Sequence, residues 1–86
     1  MIETIGEKVG VMSVYDNVKR SFYPYKIKWQ ARYYTIKKVC FHHKVRNGRV
    51  VQHIFHVTDG AIDFKLVFDA DALSWTLEEV CDGIAA

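Results

Sequence analysis

From Val39 to Phe68 polar and apolar residues alternate, and the dipeptides Asn47-Gly48 and Asp59-Gly60 interrupt the alternation. A period of two belongs to extended chain with one face in and one face out, and a helix cannot use it. Asn-Gly is the favoured centre of a type I′ hairpin, because both residues tolerate positive φ. The loop length of such a hairpin sets which residues face each other, so a short dipeptide constrains two whole strands.

With Asn47-Gly48 as loop, Arg46 is expected opposite Arg49, His42 opposite His53 and Cys40 opposite Phe55. Asp59-Gly60 as the next loop sets Val57 opposite Ile62, Phe55 opposite Phe64 and His53 opposite Leu66. Gln30-Ala31 as a further loop sets Trp29 opposite Arg32, Ile27 opposite Tyr34 and Tyr25 opposite Ile36. The registers agree on one apolar face: Tyr25, Ile27, Trp29, Tyr34, Ile36, Cys40, Val51, Phe55, Val57, Ile62, Phe64, Leu66 and Phe68, joined by Trp75 and Leu77 if the last loop is even in length. The other face is mixed. It holds Lys26, Lys28, Tyr33 and Lys37, and an apolar stripe of Val39, Phe41, Val45, Val50, Ile54 and Val67. So apolar a stripe calls for a cover, either a strand from the segment Val9–Tyr15 or a second protomer. Pro24 has no amide to donate, so it is expected at a strand start or a sheet edge.

A chain of 86 residues, half of them apolar, makes one domain. The expected fold is all-β: a single antiparallel meander of five to six strands, as a strongly curved sheet or a partly open small barrel, with residues 1–8 and 81–86 fraying and Glu78–Ala86 able to form a helical turn. The stretch Tyr25-Lys26-Ile27-Lys28-Trp29-Gln30-Ala31-Arg32-Tyr33-Tyr34-Thr35-Ile36, with Phe68-Asp69 and Trp75-Thr76-Leu77 after it, resembles a family of small bacterial β domains of unknown function. The hallmark of that family is a Trp-x-Gly-Arg-x-Tyr hairpin, with Ala31 standing here for its Gly. The resemblance implies the fold and no activity.

The net charge of +2 conceals a segregation. From Asn17 to Thr58 there is no acidic residue, while Lys19, Arg20, Lys26, Lys28, Arg32, Lys37, Lys38, Lys44, Arg46 and Arg49 are basic. From Asp59 onward seven carboxylates face Lys65 alone. Such asymmetry suits a polyanion partner, and it equally suits cross-strand pairing of basic strands with acidic ones. Cys40 and Cys81 lack CxxC spacing and read as reduced thiols, Cys40 buried. No run of 18 apolar residues occurs and the first residues carry Glu3 and Glu7, so the expectation is a cytoplasmic protein without a membrane partner.

No phosphate loop, dinucleotide motif or metalloprotease signature is present, so neither an enzyme nor a cofactor is expected. Cys40, His42 and His53 would share a face, but a structural zinc site normally takes four ligands and no fourth is evident. His56 is expected opposite Asp63 as a surface ion pair. The candidate nucleic-acid-binding set is Lys26, Lys28, Tyr33, Lys37 and Phe41, because basic side chains track phosphates and aromatic faces stack bases. The alternative is a protein-interaction or homodimerisation surface of Val39, Phe41, Ile54 and Val67.

Overall fold

The computed structural model describes residues 2–82, and the alternating stretches are extended throughout. The strands are β1 (Ile2–Asp16), β2 (Ser21–Trp29), β3 (Arg32–Thr35), β4 (Lys38–Asn47), β5 (Val50–Thr58), β6 (Ile62–Asp69) and β7 (Ser74–Asp82). They form one sheet in the order β3-β2-β1-β7-β6-β5-β4, with every neighbouring pair antiparallel. The all-β class is as expected, and the strand count is seven rather than five or six. Residues 2–8 lie within β1, paired with β7, instead of fraying, and β7 runs on through Cys81. The fraying or helical turn expected at the end of the chain falls, for residues 83–86, outside the described residues.

The sheet curls because its two ends are tied. Stepping through the antiparallel pairs, β3 and β4 point the same way, yet they stand at opposite edges. Only Ile36 and Lys37 separate them, and three residue steps span about 10 Å at most. The edges must therefore come together, and the sheet becomes a strongly curled half-barrel. The Ile36 amide donates to the Tyr25 carbonyl on β2 (2.9 Å) and the Lys37 amide to the Thr58 carbonyl on β5 (2.8 Å). β3 and β4 follow one another around a corner, β3 paired with β2 and β4 with β5.

The concave face holds the core: Ile27, Phe55, Val57, Phe64, Leu66, Trp75 and Leu77 are buried there. Phe22, which the register left unassigned, is its aromatic hub, edge-on to His53 (4.9 Å), Phe68 (5.3 Å) and Phe55 (5.5 Å).

The β2–β3 register is as expected, with Trp29 opposite Arg32 and Ile27 opposite Tyr34. The other two hairpins each differ by two residues. In β4–β5 the loop is Gly48-Arg49, with Asn47 paired to Val50. Gly48 alone takes a positive φ (66°), the glycine-first pattern of a type II′ turn. In β5–β6 the Asp59 carboxylate accepts the amides of Ala61 (2.9 Å) and Ile62 (2.8 Å), and this wider capped loop replaces the two-residue one. Phe55 consequently faces Leu66, and Phe64 faces Val57; the two phenylalanines are diagonal neighbours. Shifts of two residues preserve which side faces in, so the face assignment survives.

Bulges change it locally. One extra residue in a strand bends it and reverses the alternation. On β4 the pairing jumps from Val39 to Phe41. Val39, expected on the outer face, packs against the core, and Cys40, expected in the core, is exposed. On β2 the pairing jumps from Lys26 to Pro24. Pro24 is buried inside the strand and Tyr25, another expected core residue, is 39% exposed. β1 enters the middle of the sheet between β2 and β7, so it does not cover the outer face.

Candidate functional site

The β2–β3 hairpin positions the basic and aromatic residues of the outer face. Gln30 and Ala31 both adopt positive φ (54° and 61°), as a type I′ turn requires, even though neither is glycine. This turn places Lys28 directly opposite Tyr33, with Lys26 two pairs further along and so on the same face. The Lys26 and Lys28 ammonium groups lie 5.6 and 5.7 Å from the centre of the Tyr33 ring, within cation–π range. Tyr33 as a whole remains 57% exposed.

On the other side of β2, Gly10 pairs with Lys28 and Met12 with Lys26. Gly10, Val11, Met12, Lys26, Lys28 and Tyr33 together line a hollow of about 210 Å³. The bulge turns Tyr25 toward this side, where its hydroxyl donates to the Met12 Sδ (3.7 Å). Tyr23, between the inward-packed Phe22 and the buried Pro24, is 40% exposed on the same side. Gly10, Met12, Tyr23 and Tyr25 were not foreseen as site residues. Tyr25 was hidden by the bulge, and the other three by the unassigned pairing of β1 with β2.

The charges are segregated in space as they are in sequence. The neighbours of Lys26 and Lys28 across the strands are Met12, Gly10, Thr35 and Tyr33, none of them acidic. β2 pairs with residues 10–16 of β1, whose one carboxylate, Asp16, accepts the amides of Val18 (2.9 Å) and Lys19 (3.2 Å) in its own turn. Among the described residues the one ion pair is Lys65 with Glu78 (3.3 Å), on β6 and β7 beyond β1. The expected cross-strand pairing of basic with acidic strands is therefore not what accounts for the charge pattern.

The remaining candidates are dispersed. Lys37 lies in the corner between β3 and β4, its side chain against Gly60. Phe41 stands on β4 in an aromatic group with His43 (4.9 Å) and His56 (5.9 Å), apart from the Tyr33 cluster. His56 faces Lys65 rather than Asp63, a consequence of the wider β5–β6 loop. Of the apolar stripe, Val39 has gone into the core, Ile54 is half-buried, Val67 is buried and Phe41 is 55% exposed. A second hollow, of about 260 Å³, includes His56, Lys65, Asp63, Glu79, Cys40 and Cys81 in its lining. Its two carboxylates make it a poor seat for an anion.

His42 and His53 do meet, diagonally rather than face to face. Their Nε2 and Nδ1 atoms are 3.1 Å apart, and the His42 ring stacks on Phe55 at 4.1 Å. Partial burial lowers both pKa values from the usual imidazole range; His43 and Lys44 add to the effect on His42, and His42 and Lys44 to that on His53. The bulge at Cys40 takes its thiol off this face, and no group of three or more metal ligands occurs among the described residues.

No family model, curated protein or solved structure matches the chain. Among the described residues, no helix is long and apolar enough to cross a membrane.

Proposed function

We propose that this domain is a non-enzymatic module that binds nucleic acid through the outer face of β2 and β3. The observation that carries the reading is the Lys26–Tyr33–Lys28 cluster: two ammonium groups lie over the ring of an exposed tyrosine, with no carboxylate among their cross-strand neighbours. Phosphates would be met by the lysines and a base by the ring. Lys37 adds a further positive charge at the corner, while Phe41 lies outside the cluster. A cytoplasmic setting belongs to this reading, supported by two free thiols.

The test is the salt dependence of oligonucleotide binding, followed by fluorescence anisotropy. Each phosphate contact contributes ~0.7–0.9 to the slope of log affinity against log salt. The triple variant Lys26→Ala/Lys28→Ala/Lys37→Ala should flatten that slope by ~2–3. A parent that binds no oligonucleotide at low salt, or a slope that the triple variant leaves unchanged, sinks the reading.

A second reading rests on the exposure of Phe41, with half-buried Ile54 diagonally across from it on β5, which suits a protein contact, a homodimer included. Replacing Phe41 with Lys would then give a smaller species in size-exclusion chromatography. A parent already monomeric at high concentration argues against the homodimer.

A further inference from the structure

Gly10 sits in the middle of β1, where a glycine weakens a strand and wants a reason. Two of the usual reasons are absent. Its φ is not positive, unlike those of Gly6, Gly48 and Gly60. Nor is it crowded: a Cβ at this position would meet only the Lys28 Cβ, at an ordinary 3.6 Å. What the missing side chain does is open the hollow of about 210 Å³ whose rim is Met12, Lys26, Lys28 and Tyr33. A glycine in a strand also marks a place where a ligand approaches the backbone closely.

Resting on the nucleic-acid reading above, we infer that Gly10 forms the floor of a slot for one unpaired base of a single-stranded nucleic acid, stacked on Tyr33 beside Met12. A base can offer its face to a tyrosine only when it is out of a helical stack, so the slot selects single strands over duplex. The two ammonium groups now over the ring are on long, flexible stems. A base on Tyr33 takes their place, and they move outward to the phosphates on either side of it. Exposed Tyr23 and Tyr25 continue the same face along β2 and offer stacking surfaces to neighbouring bases. The chemistry recognised is a π face flanked by phosphates, with no side chains arrayed to read base edges, so sequence preference is weak.

The test compares a labelled oligothymidylate with a matched duplex, using the parent and two kinds of variant. Gly10→Val fills the slot with a residue that strands favour and leaves the charge unchanged. It should weaken oligothymidylate binding about tenfold or more, the scale of one lost base stack. Tyr33→Phe should bind like the parent and Tyr33→Leu should lose the same factor, a contrast that holds even if Gly10→Val folds poorly. The parent should bind the single strand more tightly than the duplex. Equal binding of the two, or Gly10→Val and Tyr33→Leu proteins that bind like the parent, overturns the slot while leaving a charge-based nucleic-acid module. Absence of binding to either probe overturns the functional reading itself, and the slot with it.

Discussion

Four non-glycine residues, Arg20, Gln30, Ala31 and Leu73, are held in the left-handed region with φ between 54° and 61°. That conformation brings Cβ against the following carbonyl and costs roughly 1–2 kcal/mol for an ordinary L residue. Ala31→Gly and Leu73→Gly should each therefore stabilise the domain by about 1 kcal/mol, less what glycine's freer unfolded chain takes back. Urea unfolding measures this directly, and midpoints that stay put or fall would show that the strain is relieved elsewhere. The histidine pair makes a second residue-scale prediction. Because His42 and His53 have folded pKa values below the ordinary 6.5, the unfolded chain binds more protons as pH drops through that value. Stability should thus be steady above about pH 7 and decline as the pH falls below about 6.5. Replacing both with Asn should flatten the decline; a urea midpoint equally pH-sensitive in the double variant would assign it to other groups.

At the scale of elements the hairpins and the bulges carry the account. Phe64 is buried opposite Val57 and touches Tyr34 with ring centres 5.4 Å apart. Phe64→Ala should cost ~3–5 kcal/mol, since the sheet cannot collapse around so large a void. A thermal midpoint within a degree or two of the parent would contradict the burial. The bulge at Cys40 makes the opposite kind of prediction: its exposed thiol should react readily with Ellman's reagent in the folded protein, and a protected Cys40 would mean that the strand runs through unbulged. These two residues also show what could be read from the chain. Phe64 was legible because the period of two is insensitive to register errors of two residues, which is the size of the shifts at both Asn47-Gly48 and Asp59-Gly60. Cys40, Val39 and Tyr25 were not, because a bulge inserts one residue without leaving any mark on a pattern of alternating types. The Lys26–Tyr33–Lys28 cluster was legible for the same reason as the β2–β3 hairpin, whose two-residue turn forms where Gln30-Ala31 predicts it. Its other wall, Gly10 and Met12, needed the register of β1 on β2, because the four-residue turn at residues 17–20 carries no Asn-Gly or Asp-Gly signal to fix that register and a bulge on β2 then shifts it.

For the molecule as a whole, the curl of the sheet and the layout of charge are linked. The short corner at Ile36-Lys37 draws the β3 and β4 edges together, and so places the basic strands β2, β3 and β4 along one side of the half-barrel. Asp63, Asp69, Glu78 and Glu79 belong to β6 and β7, and the carboxylates Glu3 and Glu7 to the part of β1 that pairs with β7. On the proposed reading, one side would suit a polyanion and the other repel it, which would orient an approaching strand before any contact forms. Amide chemical shifts of the isotope-labelled domain, followed while oligothymidylate is added, test this most directly. The largest shifts are expected at Gly10, Met12, Lys26, Lys28 and Tyr33, shrinking as salt is raised. Shifts centred on Phe41, Ile54 and Val67, or none at low salt, would contradict the account.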